Sequence, residues 1–397
     1  IQGWGHRLQE AGIHVESIGK LHYRKDDDPL GFDARHIPMY IKEGVGSVTA
    51  AVRDPLPALD DEARTKPGFA AKAEAGSSSY TQYDAQVADL SCDWLKERGA
   101  SDDDTPWMLF ASFLSPHYPL TVPDEFFQMY PGAHMPGPRL DPEDGYQRHP
   151  WVEILAERQP HNNGLTPEKS RIAYGAYLGL CSYVDYQIGR VLGALEQAGL
   201  ADTTRIIYTS DHGENAGARG LWGKSVMYEE STGIPMIMAG ADIAAGAVCE
   251  TPTSLVDMYP TITAALGLAA NADEADLPGT SLFHIANAAP DPNRTVFSEY
   301  HASASPSGGF MLRKGRYKYH YYVGYPPELF DLEADPRETN NPAGDPAHAP
   351  VCAEYDALLR QIVDPEAADR QAKGDQNAIV DFHGGRKKVL NEKLGAQ

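Results

Sequence analysis

The sequence predicts an α/β fold with a large, mostly parallel or mixed sheet flanked by helices, followed by a smaller C-terminal α+β subdomain. Two observations support this prediction. Short apolar runs typical of buried strands alternate with helical patterns, which favours a sheet covered on both faces. Several of these runs also stop at a polar cluster, as expected where ligands bind beyond the carboxyl ends of parallel strands.

The first predicted elements are a short helix and a strand. Trp4 to Ala11 forms the helix, which Gly12 closes, and His14 to Ile18 is typical of a strand. This strand runs into the turn Gly19-Lys20-Leu21-His22. Lys20 and His22 are therefore expected at the end of a strand.

Two further apolar runs end in the same way. Trp107 to Phe113 is typical of a buried strand and stops at Ser115-Pro116-His117, while Arg205 to Ser210 ends on Asp211-His212-Gly213. Pro235 to Ala239 is a shorter run of the same type. Because the carboxyl ends of parallel strands meet at one edge of a sheet, we expect these polar clusters to lie close together.

The clearest predicted helix lies between Glu168 and Ala198. Its apolar residues recur at steps of three and four, and Gly199 follows as a stop signal. The long connections around Asp54 to Ser79 and Pro131 to Asn163 exceed minimal βα loops. We expect them to form lids or walls of a substrate pocket.

A boundary is predicted near Asn271 to Pro292, where Ala, Asp and Pro replace any periodic pattern. It divides the chain into residues 1–280 and 281–397. The expected strands of the second part lie within Phe310 to Tyr322, around a hairpin turn at Lys314-Gly315, and from Pro327 to Asp331. The basic, weakly patterned end from Ala378 to Gln397 predicts a tail that packs on a neighbouring subunit, and hence a homo-oligomer.

Charge excludes some partners. The chain has 34 Lys and Arg against 56 Asp and Glu, a formal charge of -22, which repels nucleic-acid phosphates and anionic membrane surfaces. No apolar run approaches the length of a membrane span. The four cysteines lack C-x-x-C spacing, so neither a zinc site nor a disulfide framework is indicated. An anionic substrate then needs a local reversal of potential, for which Lys20 and Lys224 are the candidates.

The strongest chemical pattern is Ser210-Asp211-His212-Gly213-Glu214, followed by Gly220-Leu221-Trp222-Gly223-Lys224 and Tyr228-Glu229-Glu230-Ser231. A carboxylate and an imidazole on successive residues can both face one divalent cation, and a later lysine can bind an anion. The alternative for the first phrase is structural: the Asp caps a helix and the His lies in the core.

These phrases resemble the sulfatase family of the alkaline phosphatase superfamily, in particular its choline-sulfatase and arylsulfatase-like branches. The resemblance implies that Asp211 and His212 bind a divalent cation, Ca²⁺ first with Mg²⁺ or Mn²⁺ as alternatives. It also implies that Lys224 contacts the sulfuryl oxygens of a small-molecule sulfate ester.

Two more phrases of the same family stand in the expected order. Leu8 to His22 (LQEAGIHVESIGKLH) resembles its L-x-x-A-G-Y-x-T-x-x-I-G-K-x-H phrase, and Ser115 to Pro119 resembles its S-P-H-x-P turn. The resemblance implies that Lys20 binds substrate and that His22 and His117 are catalytic. His22 would act as a base, and His117 would protonate the leaving alcohol or contact the anion. Taken singly, each could be a solvated turn lysine or loop histidine. His301, in a later family phrase, is expected to be structural.

The family's nucleophile, a Cys or Ser converted to formylglycine within C-x-P-x-R or S-x-P-x-R, precedes the G-K-x-H phrase. None of the four cysteines has that context. Because the chain opens on Ile1 just before that phrase, we expect the nucleophile and further metal ligands in a segment upstream. Two alternatives to a sulfatase stay open: a phosphonate monoester or phosphodiester hydrolase of the same superfamily, and a non-catalytic relative without the nucleophile.

Overall fold

The computed structural model describes residues 2–41, 44–59, 65–159 and 161–393. Residues 60–64 of the connection predicted around Asp54 to Ser79, residue 160 of the connection predicted around Pro131 to Asn163, and the last four residues of the predicted tail lie outside this range. The helices are α1 (Trp4–Glu10), α2 (Ser79–Ala100), α3 (Asp124–Met129), α4 (Pro150–Arg158), α5 (Pro167–Gln197), α6 (Glu229–Thr232), α7 (Met258–Ala265), α8 (Leu282–Asn287), α9 (Ala349–Ile362), α10 (Pro365–Phe382) and α11 (Arg386–Glu392). The strands are β1 (His14–Gly19), β2 (Ala34–His36), β3 (Glu74–Ala75), β4 (Trp107–Ser112), β5 (Thr121–Val122), β6 (Arg205–Thr209), β7 (Met236–Gly240), β8 (Thr295–Tyr300), β9 (Gly309–Lys314), β10 (Tyr317–Tyr322) and β11 (Glu328–Asp331).

The sheets confirm the predicted α/β class. A parallel sheet has the order β2-β1-β4, with His14 opposite Trp107 and Gly19 opposite Ser112. Strand β6 pairs with β7 in antiparallel orientation, and β3 pairs with β5 in parallel. The C-terminal strands form an antiparallel sheet in the order β11-β10-β9-β8. The fold is therefore mixed, with the parallel strands in the first part of the chain.

The end of β1 needs a glycine. Gly19 has a φ of +110°, and a Cβ there would collide with the carbonyl of Ser112 on β4. Only glycine adopts this conformation at little cost and lets the two backbones approach so closely. Lys20, the next residue, therefore leaves the sheet beside the end of β4.

Helices α2 and α5 pack against each other and cover one side of this region. The long helix α5 begins with Pro167 in its first turn and a Thr166 side chain that caps Lys169 N, and Gly199 follows with a φ of +72°. Its buried face packs on β5 and α3 around Val122, Phe126 and Leu180. The helix predicted between Glu168 and Ala198 is confirmed.

Strands β4 and β6 are less buried than their apolar sequences predict. Phe110 on β4 is 36% exposed and Tyr208 on β6 is 38% exposed. Within the described residues each of these strands has one strand partner, β1 for β4 and β7 for β6. A strand with one free edge loses the shielding that a second neighbour gives, which accounts for the difference.

The C-terminal sheet follows the predicted pattern. Strands β9 and β10 form the predicted hairpin, in which Lys314 lies opposite Tyr317, so the turn residues are Gly315 and Arg316, one residue later than predicted. Helix α9 packs on this sheet through Tyr355 and Leu359.

The stretch from Ala378, predicted to be a tail that packs on a neighbouring subunit, instead packs on its own chain. The stretch from Ala378 lies in α10 and α11, and Val380 and Val389 are buried against Val48 and Val52 of the same chain. Helix α10 starts at a cap in which the Asp364 carboxylate accepts from Ala367 N (2.9 Å). The apolar side chains of these helices are therefore buried within the same chain, and this segment gives no support for self-association. The homo-oligomer stays a prediction.

The predicted division at residue 280 also stays a prediction. Helix α8 packs on α7, where Leu282 N donates to Thr261 Oγ1 (2.8 Å), and the four-stranded sheet begins at Thr295. In the described parts of the chain no helix is both long and apolar enough to cross a membrane.

Candidate active site

The structure brings the predicted site residues together at the ends of three strands. Lys20 and His22 follow β1, His117 follows β4, and Asp211 and His212 follow β6. The Lys224 ammonium, in the next loop, donates to Nε2 of His117 (2.9 Å). The rings of His117 and His212 lie 6.0 Å apart between centroids. His22 lies within electrostatic range of Lys20, Asp211 and Lys224.

Backbone carbonyls orient two of the histidines. His117 Nδ1–H donates to Tyr118 O (2.7 Å), which leaves Nε2 as the acceptor for Lys224. His212 Nδ1–H donates to Gly213 O (2.8 Å), so its Nε2 keeps a free lone pair and lies 3.7 Å from Asp211 Oδ2. Both rings therefore present Nε2 to the space between the strand ends.

Positive charge dominates this space. Burial first, and the Lys224 ammonium next, lower the pKa of His117 to about 4. Burial also lowers the pKa of His22, and Lys20 lowers it further. The pKa of Lys224 is lowered by burial, although Asp211 and Glu214 oppose the effect. A protein with a formal charge of -22 thus has a local region suited to an anion.

The loop that carries Lys224 is held from several sides. The half-buried Glu214 carboxylate accepts from the N–H groups of Ala216 (3.1 Å) and Gly223. Asn215 Nδ2 donates to Gly223 O (2.7 Å), and His161 Nδ1–H donates to Trp222 O (2.8 Å). Glu214 stands in the sequence phrase, but its supporting role depends on a turn that only the structure shows.

The turn that carries His117 is held by Asp84 of α2. The carboxylate of Asp84 is fully buried and accepts from the N–H groups of Leu114 (2.7 Å) and Ser115 (2.9 Å). Burial raises the pKa of Asp84, and these hydrogen bonds lower it. Sequence reasoning missed Asp84, because nothing around it in a polar helix indicates a partner 30 residues away.

An aromatic group lies beside Lys224 and His117. Phe69 stacks on Tyr118 with ring centroids 4.0 Å apart and approaches His161 at 5.0 Å. Lys224 Nζ lies 5.8 Å from the Tyr118 ring centre. Phe69 and His161 belong to the two long connections that are predicted to form the walls of a substrate pocket. Their position beside Lys224 and His117 agrees with that prediction, which stays a prediction.

Other candidate residues lie elsewhere. His301 Nε2 faces Glu299 (3.1 Å) and its ring packs on Phe310, in the C-terminal sheet. The four cysteines are free, and Cys181 is half-buried beside Tyr177 on α5. Across the described ranges, no group of three or more His, Cys, Asp or Glu residues is arranged to hold a metal ion. Asp211 and His212 form a pair at most.

Two family models match the chain. The model described as Sulfatase matches residues 6–268, a range that includes every predicted site residue. The model described as N-sulphoglucosamine sulphohydrolase, C-terminal, matches residues 217–364.

Individual proteins are similar over most of the chain. The choline-sulfatase of Rhizobium meliloti (strain 1021) is 31% identical over 87% of this chain and 68% of its own length. Arylsulfatase K of Danio rerio is 28% identical over 91% of this chain and 68% of its own. Among solved structures, the phosphonate monoester hydrolase from Silicibacter pomeroyi has a TM-score of 0.68 and 25% identity, covering 90% of this chain and 79% of its own.

Proposed function

Because the chain belongs to the sulfatase family of the alkaline phosphatase superfamily, a family of hydrolases, we propose that it hydrolyses small-molecule sulfate esters. One observation carries the proposal: Lys224 lies 2.9 Å from His117, at strand ends that also present Lys20 and His212. Two ammonium groups and an imidazole around one space can neutralise an anion and move a proton.

Each cationic residue has a distinct role in this proposal. Lys20 and Lys224 bind the sulfuryl oxygens, which stabilises negative charge as the ester bond breaks. Without an anion, burial and then the Lys224 ammonium hold His117 neutral, since together they lower its pKa to about 4. A bound sulfate offsets that positive field and raises the pKa of His117. His117 Nε2 can then carry the proton that the departing alkoxide needs, while His22 accepts a proton in the second half of the reaction.

Asp211 and His212 fit a divalent cation. His212 Nδ1–H donates to Gly213 O, so the lone pair of Nε2 is available to a metal ion. The Asp211 side chain is 75% exposed and free to turn toward the same ion. A bound Ca²⁺, with Mg²⁺ or Mn²⁺ as alternatives, would polarise the sulfuryl oxygens. Since Ca²⁺ takes about 6–8 oxygen ligands, further ligands would come from residues other than this pair.

The nucleophile in the proposal is a formylglycine upstream of Ile1. The placement of the four cysteines supports this: Cys181 is half-buried beside Tyr177 on α5, and Cys92, Cys249 and Cys352 have backbone partners at Arg190, Ile285 and Ala343. Intact mass spectrometry of the purified natural protein tests it. We expect a mass above 43.3 kDa with an oxidised cysteine or serine in the additional segment. A mass equal to that of the present chain would favour a non-catalytic relative.

A phosphonate monoester or phosphodiester hydrolase is the second candidate, favoured by the similarity to the phosphonate monoester hydrolase from Silicibacter pomeroyi. Turnover of an aryl sulfate, an aryl phosphonate and an aryl phosphodiester by the same preparation separates the two. We expect the highest kcat/KM for the aryl sulfate, and we expect Asp211→Ala to lose this activity. A clear preference for the phosphorus esters would overturn the first candidate, and full activity of Asp211→Ala would refute the metal assignment.

A further inference from the structure

A buried network of charged side chains joins the segment that carries Lys224 to the C-terminal sheet. Lys318 of β10 is 0% exposed, and its Nζ donates to Glu229 Oε1 (2.7 Å) and Thr232 Oγ1 (3.1 Å). The same Nζ lies 3.0 Å from Glu338 Oε1, an ion pair without directed hydrogen-bond geometry. Glu338 Oε2 accepts from the backbone N–H of Glu229 (2.7 Å). Lys318 and Glu338 thus hold one end of the 219–232 segment.

Arg219 holds the other end of that segment. Its side chain is buried, donates to Glu230 Oε2 (2.8 Å) and also to the carbonyls of Arg337 (2.9 Å) and Glu338 (3.1 Å). The guanidinium lies 3.8 Å from the ring centre of Tyr228. Arg219 has a φ of +56°, so its backbone is held in a conformation that favours glycine. The two ends of the segment therefore converge on the short stretch around Glu338.

Two contacts between these ends also reach the C-terminal sheet. Tyr228 OH donates to Glu328 Oε1 (3.0 Å), and the Tyr300 phenol, which donates to Ser303 O (3.1 Å), lies beside Ser225, the residue after Lys224. Ser225 itself has a φ of +94°. The backbone on either side of Lys224 is consequently set by residues of β8, β10, β11 and the Glu338 stretch.

The chemistry of the network favours positioning over simple stabilisation. Three carboxylates, those of Glu229, Glu230 and Glu338, surround the cations of Arg219 and Lys318, while Glu328 faces His320 beside them. Burying so many charges gains little stability over apolar packing, but each pair accepts only one geometry. Lys224 lies five residues from both Arg219 and Glu229, too close for its loop to move independently of these anchors.

We propose that Lys318, Glu338 and Arg219 are positioning residues, through which the C-terminal sheet sets the location of the Lys224 ammonium at the site. The proposal rests on the proposed function only for the role of Lys224 as the anion contact. The placement of Lys224 itself can be measured without any substrate.

The test compares purified wild-type protein with the double variant K318M/E338Q, which removes a cation and a carboxylate together. Glu229, which loses Lys318, keeps the guanidinium of Arg313 at 3.6 Å. Trace acylation of lysines, followed by peptide mass spectrometry, reports the exposure of Lys224. We expect Lys224 to react about threefold faster or more in the double variant, because local opening of a loop that has lost its anchors exposes an amine that is half-buried in the wild type. The exposed Lys96 on α2 gives the reference rate.

Arg294→Met is the matched control. Arg294 pairs with the buried Asp257 (2.6 Å), a charged contact away from the 219–232 segment. Its loss should lower the melting temperature and leave the relative labelling rate of Lys224 within roughly 1.5-fold of wild type, as expected for distant, independent sites.

Kinetics on an aryl sulfate supply the second readout. We expect K224M to lower kcat/KM strongly in wild type but by no more than about threefold in the K318M/E338Q background, since coupled residues are non-additive. Additive losses of kcat/KM together with unchanged Lys224 labelling in a folded double variant would overturn the proposal.

If wild type does not turn over sulfate esters, the proposed function fails, and the labelling result still decides this inference. Should the double variant not fold, E338Q alone, which keeps side-chain volume and the acceptor for Glu229 N–H, is judged by the same criteria.

Discussion

His117 shows how neighbouring residues set the chemistry of one side chain. Tyr118 O takes its Nδ1–H, the Lys224 ammonium takes its Nε2 lone pair, and Asp84 fixes the turn on which it lies. The Lys224 ammonium favours the neutral imidazole, whereas Tyr118 O and Asp84 hold the orientation of the ring and its turn. His117 is therefore prepared to receive a proton only when negative charge enters the site.

This environment predicts a pH dependence of stability. The folded pKa of His117 is about 4, below the value of about 6.5 for an unperturbed histidine. Between these values the unfolded chain binds more protons than the folded protein, so stability falls as pH falls through this window. We expect His117→Gln to lose less stability than wild type on acidification from about pH 7 to about pH 4, by at most about 3 kcal/mol.

Thermal unfolding followed by circular dichroism across this pH range measures the effect. His134→Gln serves as the control, because His134 is exposed. Equal acid sensitivity of wild type and His117→Gln would contradict the assignment of the buried, neutral state.

At the scale of elements, α5 combines a predictable pattern with close contacts that the pattern does not reveal. Its apolar spacing predicted the helix and its bounds to within a residue or two. By contrast, α2 buries polar residues such as Thr81, Asp84 and Ser91, so its apolar periodicity is weak and the sequence did not indicate it. Helix α4 lies inside a predicted connection and escaped prediction for the same kind of reason, being short and flanked by prolines.

Two glycines of α5 should respond in opposite directions to substitution by alanine. A Cβ at Gly175 would collide with Tyr130 O, whereas one at Gly189 would meet no atom within 4 Å. We expect Gly175→Ala to destabilise the protein by about 1–3 kcal/mol through overpacking, and Gly189→Ala to stabilise it by up to about 1 kcal/mol through helix propensity. Urea unfolding monitored by circular dichroism measures both, and equal effects would show that the helix contact is not tight.

At the scale of the whole molecule, one apolar cluster crosses the predicted division of the chain. Trp151 and Leu155 of α4, with Tyr228, pack against Tyr322 of β10 and Phe330 of β11. Trp151 and Tyr228 are fully buried by this contact. The C-terminal sheet is thus part of the core that supports the Lys224 loop.

We therefore expect a single cooperative unfolding transition in calorimetry. Phe330→Ala should destabilise that whole transition by about 3–5 kcal/mol, because it removes a buried ring. Phe382→Ala is the matched control: Phe382 is 85% exposed, so its loss should change stability by no more than about 0.5 kcal/mol. Two separate transitions, of which Phe330→Ala shifts only one, would instead favour independent domains.

The sequence by itself determined the fold class, the family, the strands that end at the site and the six side chains gathered there. The fold class and the strands follow from the apolar period, which is short-range information, whereas the family and the six side chains follow from the resemblance of the motifs to those of the sulfatase family. The tertiary structure alone decided that β7 is antiparallel to β6, that Asp84 supports His117, and that Lys318 and Glu338 lie behind Lys224. The β6–β7 pairs join residues 27 to 35 positions apart, Asp84 contacts residues 30 and 31 positions away, and Lys318 and Glu338 contact Glu229 from 89 and 109 positions away. These contacts form when whole helices and strands pack together, and local sequence patterns do not specify how distant elements pack.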